Sequence, residues 1–330
     1  MSGSNIQKLH CNIVLSGSSS TAIPTVDVPS ATSMFKSLIC LKMNYCKSLK
    51  LLLELPPYRR FLAACGCELL ENVSFADQNL YQFDFLGYDD DVLFMLFSNC
   101  FSLNQDSKDN IEANAMLNIG SLAKKWASSY DYDFQPDVLL KFFCCFPGNK
   151  VSANKFEFQS SNSSLNLKIA LNGCSGRRFL VFAICLVADL THCNRLENLE
   201  YICEYQLIAA GGGDEKFKSE LIKEQDFELD LTYRGDHVLI LFSKDFVKED
   251  KNYEEASFEF HIKNCDYGGE EVKLDDVKVE KCGIHVFYID AESFADSAVK
   301  SEEMLNFDET SDGSFYSAED GNVEEVNDDA

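Results

Sequence analysis

The chain has 330 residues, of which 46% are hydrophobic and 12% are aromatic, so it is long enough to bury the core of two modest domains. Its formal net charge is −25. This charge disfavours nucleic acid and anionic membrane surfaces as partners, because their phosphates would be repelled. A protein partner that carries a basic patch fits better.

The sequence has no stretch of about 20 apolar residues, and it does not begin with a charged region followed by a long apolar core. We therefore expect no membrane span and no signal peptide, and a protein of the cytoplasm, with the nucleus as a second compartment. In that setting the fourteen cysteines stay reduced. Cys65-Gly-Cys67 and Cys144-Cys145 lack a second Cys/His pair at zinc spacing, so we expect no metal site.

Residues 1–37 form a poorly defined N-terminal segment, and a repeat frame begins after them. Its members stand at offsets 0, 3, 5, 8 and 11, the spacing of a leucine-rich repeat with cysteine in the Asn/Cys position: Leu38, Leu41, Met43, Cys46 and Leu49. The first three positions point one side of a short strand into a stacked core, and the thiol pairs with backbone at the bend. The frame returns twice, at Leu62, Ala64, Cys67 and Leu70 (with Arg59 in the first position) and at Val92, Met95, Phe97, Cys100 and Leu103.

The frame predicts terminal leucine-rich repeats over residues 38–103, with a generic leucine-rich buried strand as the alternative. Because each repeat buries its faces against its neighbours, three repeats alone suggest the C-terminal end of a longer solenoid.

A helical cap and connector is predicted over residues 104–138. Asn104 can cap a helix whose apolar face recurs at steps of three and four residues: Ile111, Ala115, Ile119, Leu122 and Trp126. We expect this helix to cover the exposed edge of the last repeat. An amphipathic membrane helix is disfavoured, because the polar face would carry Asp106, Asp109 and Glu112.

The spacing of apolar residues changes after Pro147-Gly148, a pair that favours a turn and ends regular secondary structure. Short apolar runs then cover residues 165–171, 178–190, 201–209, 227–233, 236–242, 258–262 and 277–289. Strands without intervening helices predict an antiparallel sandwich of two sheets over residues 139–290, with loops 160–164 and 210–215 at its ends. Residues 291–330 hold 13 acidic residues and one lysine, which predicts a disordered acidic tail.

Several strings resemble plant intracellular immune receptors that combine a Toll/interleukin-receptor-like domain, a nucleotide-binding domain and leucine-rich repeats. Residues 38–73 are similar to their terminal repeats, with Cys46-Lys-Ser-Leu49, Glu54-Leu-Pro-Pro57 and Cys65-Gly-Cys67, and residues 97–105 resemble the closing repeat and helix cap. Further segments resemble successive parts of the family's C-terminal jelly-roll/Ig-like (C-JID) domain. They are Phe146-Pro-Gly148, residues 179–188, Asp236-His-Val238, Phe258-Glu-Phe260 and residues 279–288.

The resemblance covers roughly residues 38–290 and implies a mixed α+β fold: a short leucine-rich-repeat end with a helical cap, then a jelly-roll/Ig-like antiparallel β-sandwich and a disordered tail. The chain departs from the family pattern at residues 151–155, where an Ile-Pro-x-Trp-Phe segment is usual. Nothing in the sequence resembles the family's signalling or nucleotide-binding domains, and no Gly-x4-Gly-Lys-Ser/Thr motif is present to cradle phosphates. The NAD-cleaving activity of the family's N-terminal domain is therefore not carried over.

Two residue pairs could suggest a hydrolase, Asp236-His237 and Cys282 with His285. The second pair is three residues apart within a predicted strand, so its side chains should point to opposite faces, whereas a nucleophile and its base must lie within hydrogen-bond reach. We expect Asp236 and His237 only to begin a strand. The sequence thus predicts no enzyme, no catalytic residue and no cofactor, and it does not identify ligand-binding residues.

The family uses its repeats and C-terminal domain to contact pathogen effectors in defence responses. The resemblance therefore predicts a non-catalytic recognition module, truncated and without the signalling and nucleotide-binding domains, whose partner is a pathogen effector or a full-length immune receptor. The alternative is a stand-alone lectin-like sandwich that binds carbohydrate. Such a site needs aromatic platforms, and Trp126 lies on the predicted helix.

Overall fold

The computed structural model of the protein describes residues 14–17, 38–57, 60–80, 92–129, 141–171, 176–191, 193, 199–220, 232–265 and 274–290. Most of the N-terminal segment, nearly all of the predicted strand 227–233 and the acidic stretch 291–330 lie outside the described residues. Within them the fold is mixed and rich in β structure, with one α-helix and several sheets, some of them antiparallel.

The described residues up to 96 form six short strands: β1 (Val14–Gly17), β2 (Leu38–Lys42), β3 (Leu51–Leu55), β4 (Phe61–Ala63), β5 (Asn72–Phe75) and β6 (Val92–Leu96). β2, β4 and β6 pair in parallel, and their register places Leu41 beside Leu62 and Leu62 beside Met95. These three residues share offset 3 of the predicted frame, so equal frame positions stack on one another. β3 and β5 form a separate parallel pair, and β1 pairs antiparallel with β2. We call residues 38–103 the parallel-strand region.

One helix, α1 (Gln105–Ser129), follows this region. The prediction that Asn104 caps the start of the helix is confirmed, because its side-chain oxygen accepts a hydrogen bond from the backbone N–H of Ser107 at 2.8 Å. The predicted apolar face is buried at Ile111, Ala115, Ile119 and Leu122. A second side of the helix is buried too: the Asn118 amide donates to the carbonyl of Pro57 at 3.0 Å. Glu112, placed on the polar face by the sequence, is only 5% exposed, which corrects that assignment.

The described residues from 141 onward form eleven strands: β7 (Lys141–Pro147), β8 (Phe158–Ser160), β9 (Ser164–Lys168), β10 (Arg178–Asp189), β11 (Leu199–Ala209), β12 (Asp214–Glu220), β13 (Asp236–Ser243), β14 (Val247–Glu249), β15 (Tyr253–Cys265), β16 (Leu274–Val277) and β17 (Val279–Asp290). A long sheet runs in the order β1-β2-β4-β6-β7-β13-β10-β17-β8, with β14 beside β10. A second sheet has the order β12-β11-β15-β16, with β9 beside β15. The predicted antiparallel pairing is confirmed for both from β7 onward, apart from the β6–β7 pair. We call residues 141–290 the two-sheet region.

β7 makes one continuous sheet out of the two regions. It pairs in parallel with β6 on one side and antiparallel with β13 on the other. The expectation that the helix covers the exposed edge of the last repeat is therefore wrong for the hydrogen-bonding edge of β6. That edge presents N–H and C=O groups that need backbone partners, and only a strand can supply them in register.

The core lies between the two sheets, and α1 lies on the other face of the long sheet. On β10, Phe182 meets Phe258 of the second sheet at 5.1 Å between ring centroids, whereas Phe179 meets Trp126 of the helix at 5.5 Å. Both faces of β10 are therefore buried. This explains why its sequence is a nearly continuous apolar run instead of an alternating one.

Candidate functional site

Three equivalent turns of the parallel-strand region are stacked, with Tyr45, Gly66 and Asn99 at φ of 58°, 66° and 59°. The backbone N–H groups of Tyr45 and Gly66 each donate to a carbonyl of the next turn, at 2.7 and 2.8 Å. At the last turn the N–H of Asn99 donates instead to Nε2 of His237, at 3.1 Å. An imidazole nitrogen of the two-sheet region thus takes the place of the carbonyl that a further turn would offer. We call these four residues the turn row.

The Asn99–His237 contact is part of a wider polar junction. The Asn99 side chain donates to the carbonyl of Thr232 at 2.8 Å and accepts from the N–H of Arg234 at 3.2 Å. Nδ1 of His237 lies 3.1 Å from the carbonyl of Gly235. Because Nε2 accepts, the single proton of the neutral ring sits on Nδ1. The ring is fully buried, and burial lowers its pKa to about 4.

The cysteines at offset 8 of the frame form a second row. The thiol of Cys67 donates to the carbonyl of Met43 at 3.0 Å, and the thiol of Cys100 donates to the carbonyl of Ala64 at 2.9 Å. The predicted pairing of this thiol with backbone is confirmed at both positions. Burial raises the pKa of the neighbouring Cys65 thiol to about 12, so this cysteine is not poised to form a nucleophilic thiolate.

An aromatic row leads from the core to the surface of the parallel-strand region. Ring centroids are 5.5 Å apart for Tyr201 and Phe143, 6.3 Å for Phe143 and Phe94, and 5.7 Å for Phe94 and Phe61. Phe94 is 5% exposed, while Phe61 is partly exposed and carries the ammonium of Lys42 at 4.5 Å from its centroid. A continuous row of packed rings therefore connects the buried core to the partly exposed ring of Phe61, and the ammonium of Lys42 lies over that ring. We call Lys42 and Phe61 the surface pair.

A buried carboxyl lies on the helix side of the long sheet. One oxygen of Glu112 has no hydrogen-bond partner among the described residues. Burial raises the pKa of this carboxyl to about 7, against the opposing effects of a hydrogen bond from Ser152 and the charge of Lys155. This carboxyl therefore keeps its proton to a higher pH than an exposed glutamate does. The sequence could not identify this group, because a glutamate at that helix position also fits an exposed polar face.

The residues considered for catalysis do not converge. Cys282 belongs to the core between the sheets, whereas His285 points to the other face, where its Nδ1 lies 2.6 Å from a carboxylate oxygen of Glu157. The predicted separation of this pair is confirmed. His237 lies at the junction and bonds backbone on both sides. No three His, Cys, Asp or Glu side chains of the described residues come together as metal ligands.

A cleft of about 300 Å³ opens at one end of the two-sheet region, beside the predicted loop 160–164. It offers Asn162, His261 and Lys278 as polar groups. Its phenyl ring, Phe260, is only 1% exposed, so none of its described lining residues offers an open Phe, Tyr or Trp ring on which a sugar could stack. No described helix is long and apolar enough to cross a membrane.

Comparison with known proteins found no matching family model. The chain is 25% identical over 278 residues to the disease resistance-like protein DSC1 of Arabidopsis thaliana, covering 80% of this chain and 22% of the relative. It is 26% identical over 284 residues to the disease resistance protein RPP2B of Arabidopsis thaliana, covering 76% and 21%. It is 26% identical over 316 residues to the disease resistance protein RPS4B of Arabidopsis thaliana, covering 90% and 25%. The chain thus spans about a fifth to a quarter of the length of these relatives.

Proposed function

We propose that this chain, a relative of plant disease resistance proteins, is a non-catalytic recognition module that binds a protein partner in the defence response. The partner would be a pathogen effector or a full-length immune receptor, met in the cytoplasm or nucleus. Residues 38–103 would be terminal leucine-rich repeats, and residues 139–290 a jelly-roll/Ig-like domain. The stacked frame positions and the two antiparallel sheets support these assignments.

The surface pair is the observation that carries the proposal. A partly exposed ring backed by a row of buried rings is rigid and apolar, and a cation above it adds charge selectivity. Aromatic anchors held by a packed core are the residues that dominate protein interfaces. The surface pair also lies on a chain with a net charge of −25, so the ammonium of Lys42 distinguishes this place on an acidic molecule. The overall charge still favours a partner with a basic patch, and at the surface pair that partner would present an apolar side chain to Phe61 and a polar or acidic group to Lys42.

The test is capture of partners from pathogen-challenged leaf tissue with the full chain as bait, followed by mass spectrometry. We expect an effector or an immune receptor with the unaltered protein, and loss of that partner with Lys42→Glu, which reverses the charge without entering the core. Leu53→Ala is the matched control, because Leu53 is 46% exposed on the separate β3–β5 pair.

Thermal melts of the unaltered protein, Lys42→Glu and Leu53→Ala test whether each bait is folded. A folded bait that captures neither kind of protein would contradict the proposed function. Capture that Lys42→Glu and Leu53→Ala leave unchanged would contradict the role of the surface pair. Binding on a carbohydrate array, without a protein partner, would favour the lectin-like alternative.

A further inference from the structure

His237 closes a hydrogen-bond row that is otherwise made of backbone alone. The N–H groups of Tyr45 and Gly66 meet carbonyl oxygens, and the N–H of Asn99 meets an imidazole nitrogen in the same relative place. A carbonyl accepts a hydrogen bond at any pH at which the protein is folded. An imidazole nitrogen accepts only while it is unprotonated. The last contact of the row is therefore chemically different from the others.

Protonation would turn this contact from attractive to repulsive. Nδ1 already donates to the carbonyl of Gly235, so an added proton can go only to Nε2, where it would face the N–H of Asn99. Two donors would then point at each other in a site where the ring is fully buried. A buried charge without a partner is costly, and the ring can escape that cost only by separating from Asn99.

Among the described residues, the N–H of Asn99 is the only hydrogen-bond partner of Nε2. The parallel-strand region presents the Asn99 backbone and the ring of Phe101, whose centroid lies 6.0 Å away. The two-sheet region presents the ring of Tyr233 at 5.5 Å. The charge of Asp189 favours the protonated imidazole, but burial outweighs it.

Asp189 lies at the end of β10, and the other adjoining charged residues belong to the loop and strand that carry the histidine. Asp236 is its neighbour in the chain. Arg234 donates its backbone N–H to Asn99.

We propose that His237 is a proton-operated latch: the neutral ring fastens the last turn of the parallel-strand region to the two-sheet region, and its protonation releases that turn. The latch acts on the joint between the two parts of the chain and is independent of which partner the surface pair binds. Acidification would loosen the Asn99 turn while β6 and β7 remain paired, because that pairing consists of backbone hydrogen bonds.

Amide hydrogen exchange at Asn99, followed by NMR and corrected for the intrinsic rate at each pH, tests the latch. In the unaltered protein the protection factor of this amide should fall by about 30-fold between pH 7.5 and pH 5, as expected if the open turn restores the ordinary pKa of the ring. His237→Gln offers a carbonyl oxygen in place of Nε2 and should keep the protection at both pH values. His237→Phe offers no acceptor and should lose protection at both.

His285→Gln is the matched control, because it removes an imidazole from the same sheet at a half-buried position away from the junction. It should follow the unaltered protein. The latch is refuted if the unaltered protein and His237→Gln lose the same protection on acidification, or if neither loses any. His237→Gln carries the test by itself if His237→Phe fails to fold.

Discussion

Replacing Glu112 by glutamine should stabilise the protein at neutral and alkaline pH. The folded carboxyl has a pKa raised to about 7 by burial, from an ordinary value of 4.5. In the unfolded chain it ionises above pH 4.5, while in the folded protein it must keep its proton or be buried as a charge. Its contribution is therefore fully favourable below pH 4.5 and is lost as the pH rises through 7.

The magnitude follows from the two pKa values. The rise of the pKa from 4.5 to about 7, at about 1.36 kcal/mol for each pKa unit, gives a penalty of about 3 kcal/mol at pH 7.5. Glutamine has the same size, can still accept the hydrogen bond from Ser152 and carries no charge, so Glu112→Gln should be more stable than the unaltered protein by about 2–3 kcal/mol at pH 7.5. Near pH 4.5 the two should be equally stable.

Urea denaturation at intervals from pH 4.5 to pH 8 measures this difference. Asp109→Asn is the matched control, because it removes one negative charge from an exposed position one turn earlier on the same helix. It should change the free energy of unfolding by less than about 0.5 kcal/mol. A gain for Glu112→Gln that does not vary with pH would refute the reasoning, because a proton-linked effect must vanish when both states are protonated.

Two further changes test the structure elsewhere. Cys67→Ala should lower the free energy of unfolding by about 1–2 kcal/mol, because it removes a buried thiol and its hydrogen bond. Cys40→Ala, at a partly exposed position, should have little effect. Equal losses for the two variants in urea denaturation would contradict the stabilising role of the Cys67 thiol. Arg178→Ala should cost about 3–5 kcal/mol, because it leaves Asp250 buried without its partner. The neighbouring Arg177→Ala removes an ion pair that is about one third exposed and should cost under about 1 kcal/mol in the same thermal or urea melts.

The strands of the two-sheet region were predictable because burial leaves a trace in the sequence. The alternation at Leu165 and Leu167 and the apolar run 178–190 each follow from which faces of a strand are covered. The repeat frame was predictable for the same reason, since residues at offset 3 must meet in the stacked register. The role of Asn104 as a helix N-cap was predictable because its side chain can accept a hydrogen bond from an unpaired N–H at the start of a helix.

Pairing partners leave no such trace. The run 141–147 is apolar because both its faces are buried, but nothing in it states that one edge meets β6 in parallel and the other meets β13 antiparallel. The role of His237 depends on Asn99, 138 residues away, and a histidine at the start of a strand has an ordinary local explanation. The surface pair depends on a strand register in the same way, because Phe61 is an anchor only once Phe94 lies behind it.

His237 and Glu112 oppose each other in the same range of pH. The histidine has a folded pKa of about 4, below its ordinary 6.5, so its contribution to stability is present above pH 6.5 and is lost as the pH falls toward 4. The glutamate loses its contribution as the pH rises from 4.5 to 7. Each shift corresponds to about 3 kcal/mol, so the two proton linkages nearly cancel over this range.

This compensation has a distinctive consequence. Between pH 4.5 and pH 6.5, Glu112→Gln alone should become more stable as the pH rises, and His237→Gln alone should become less stable, because each retains the linkage of the other group. The double variant should parallel the unaltered protein. Urea denaturation of all four proteins separates the two linkages, and parallel curves for the two single variants would contradict both. The free energy of unfolding of the unaltered protein would then be nearly independent of pH, because unfolding releases a proton from Glu112 and adds one to His237. The local release of the Asn99 turn would still depend on pH, because it involves His237 alone.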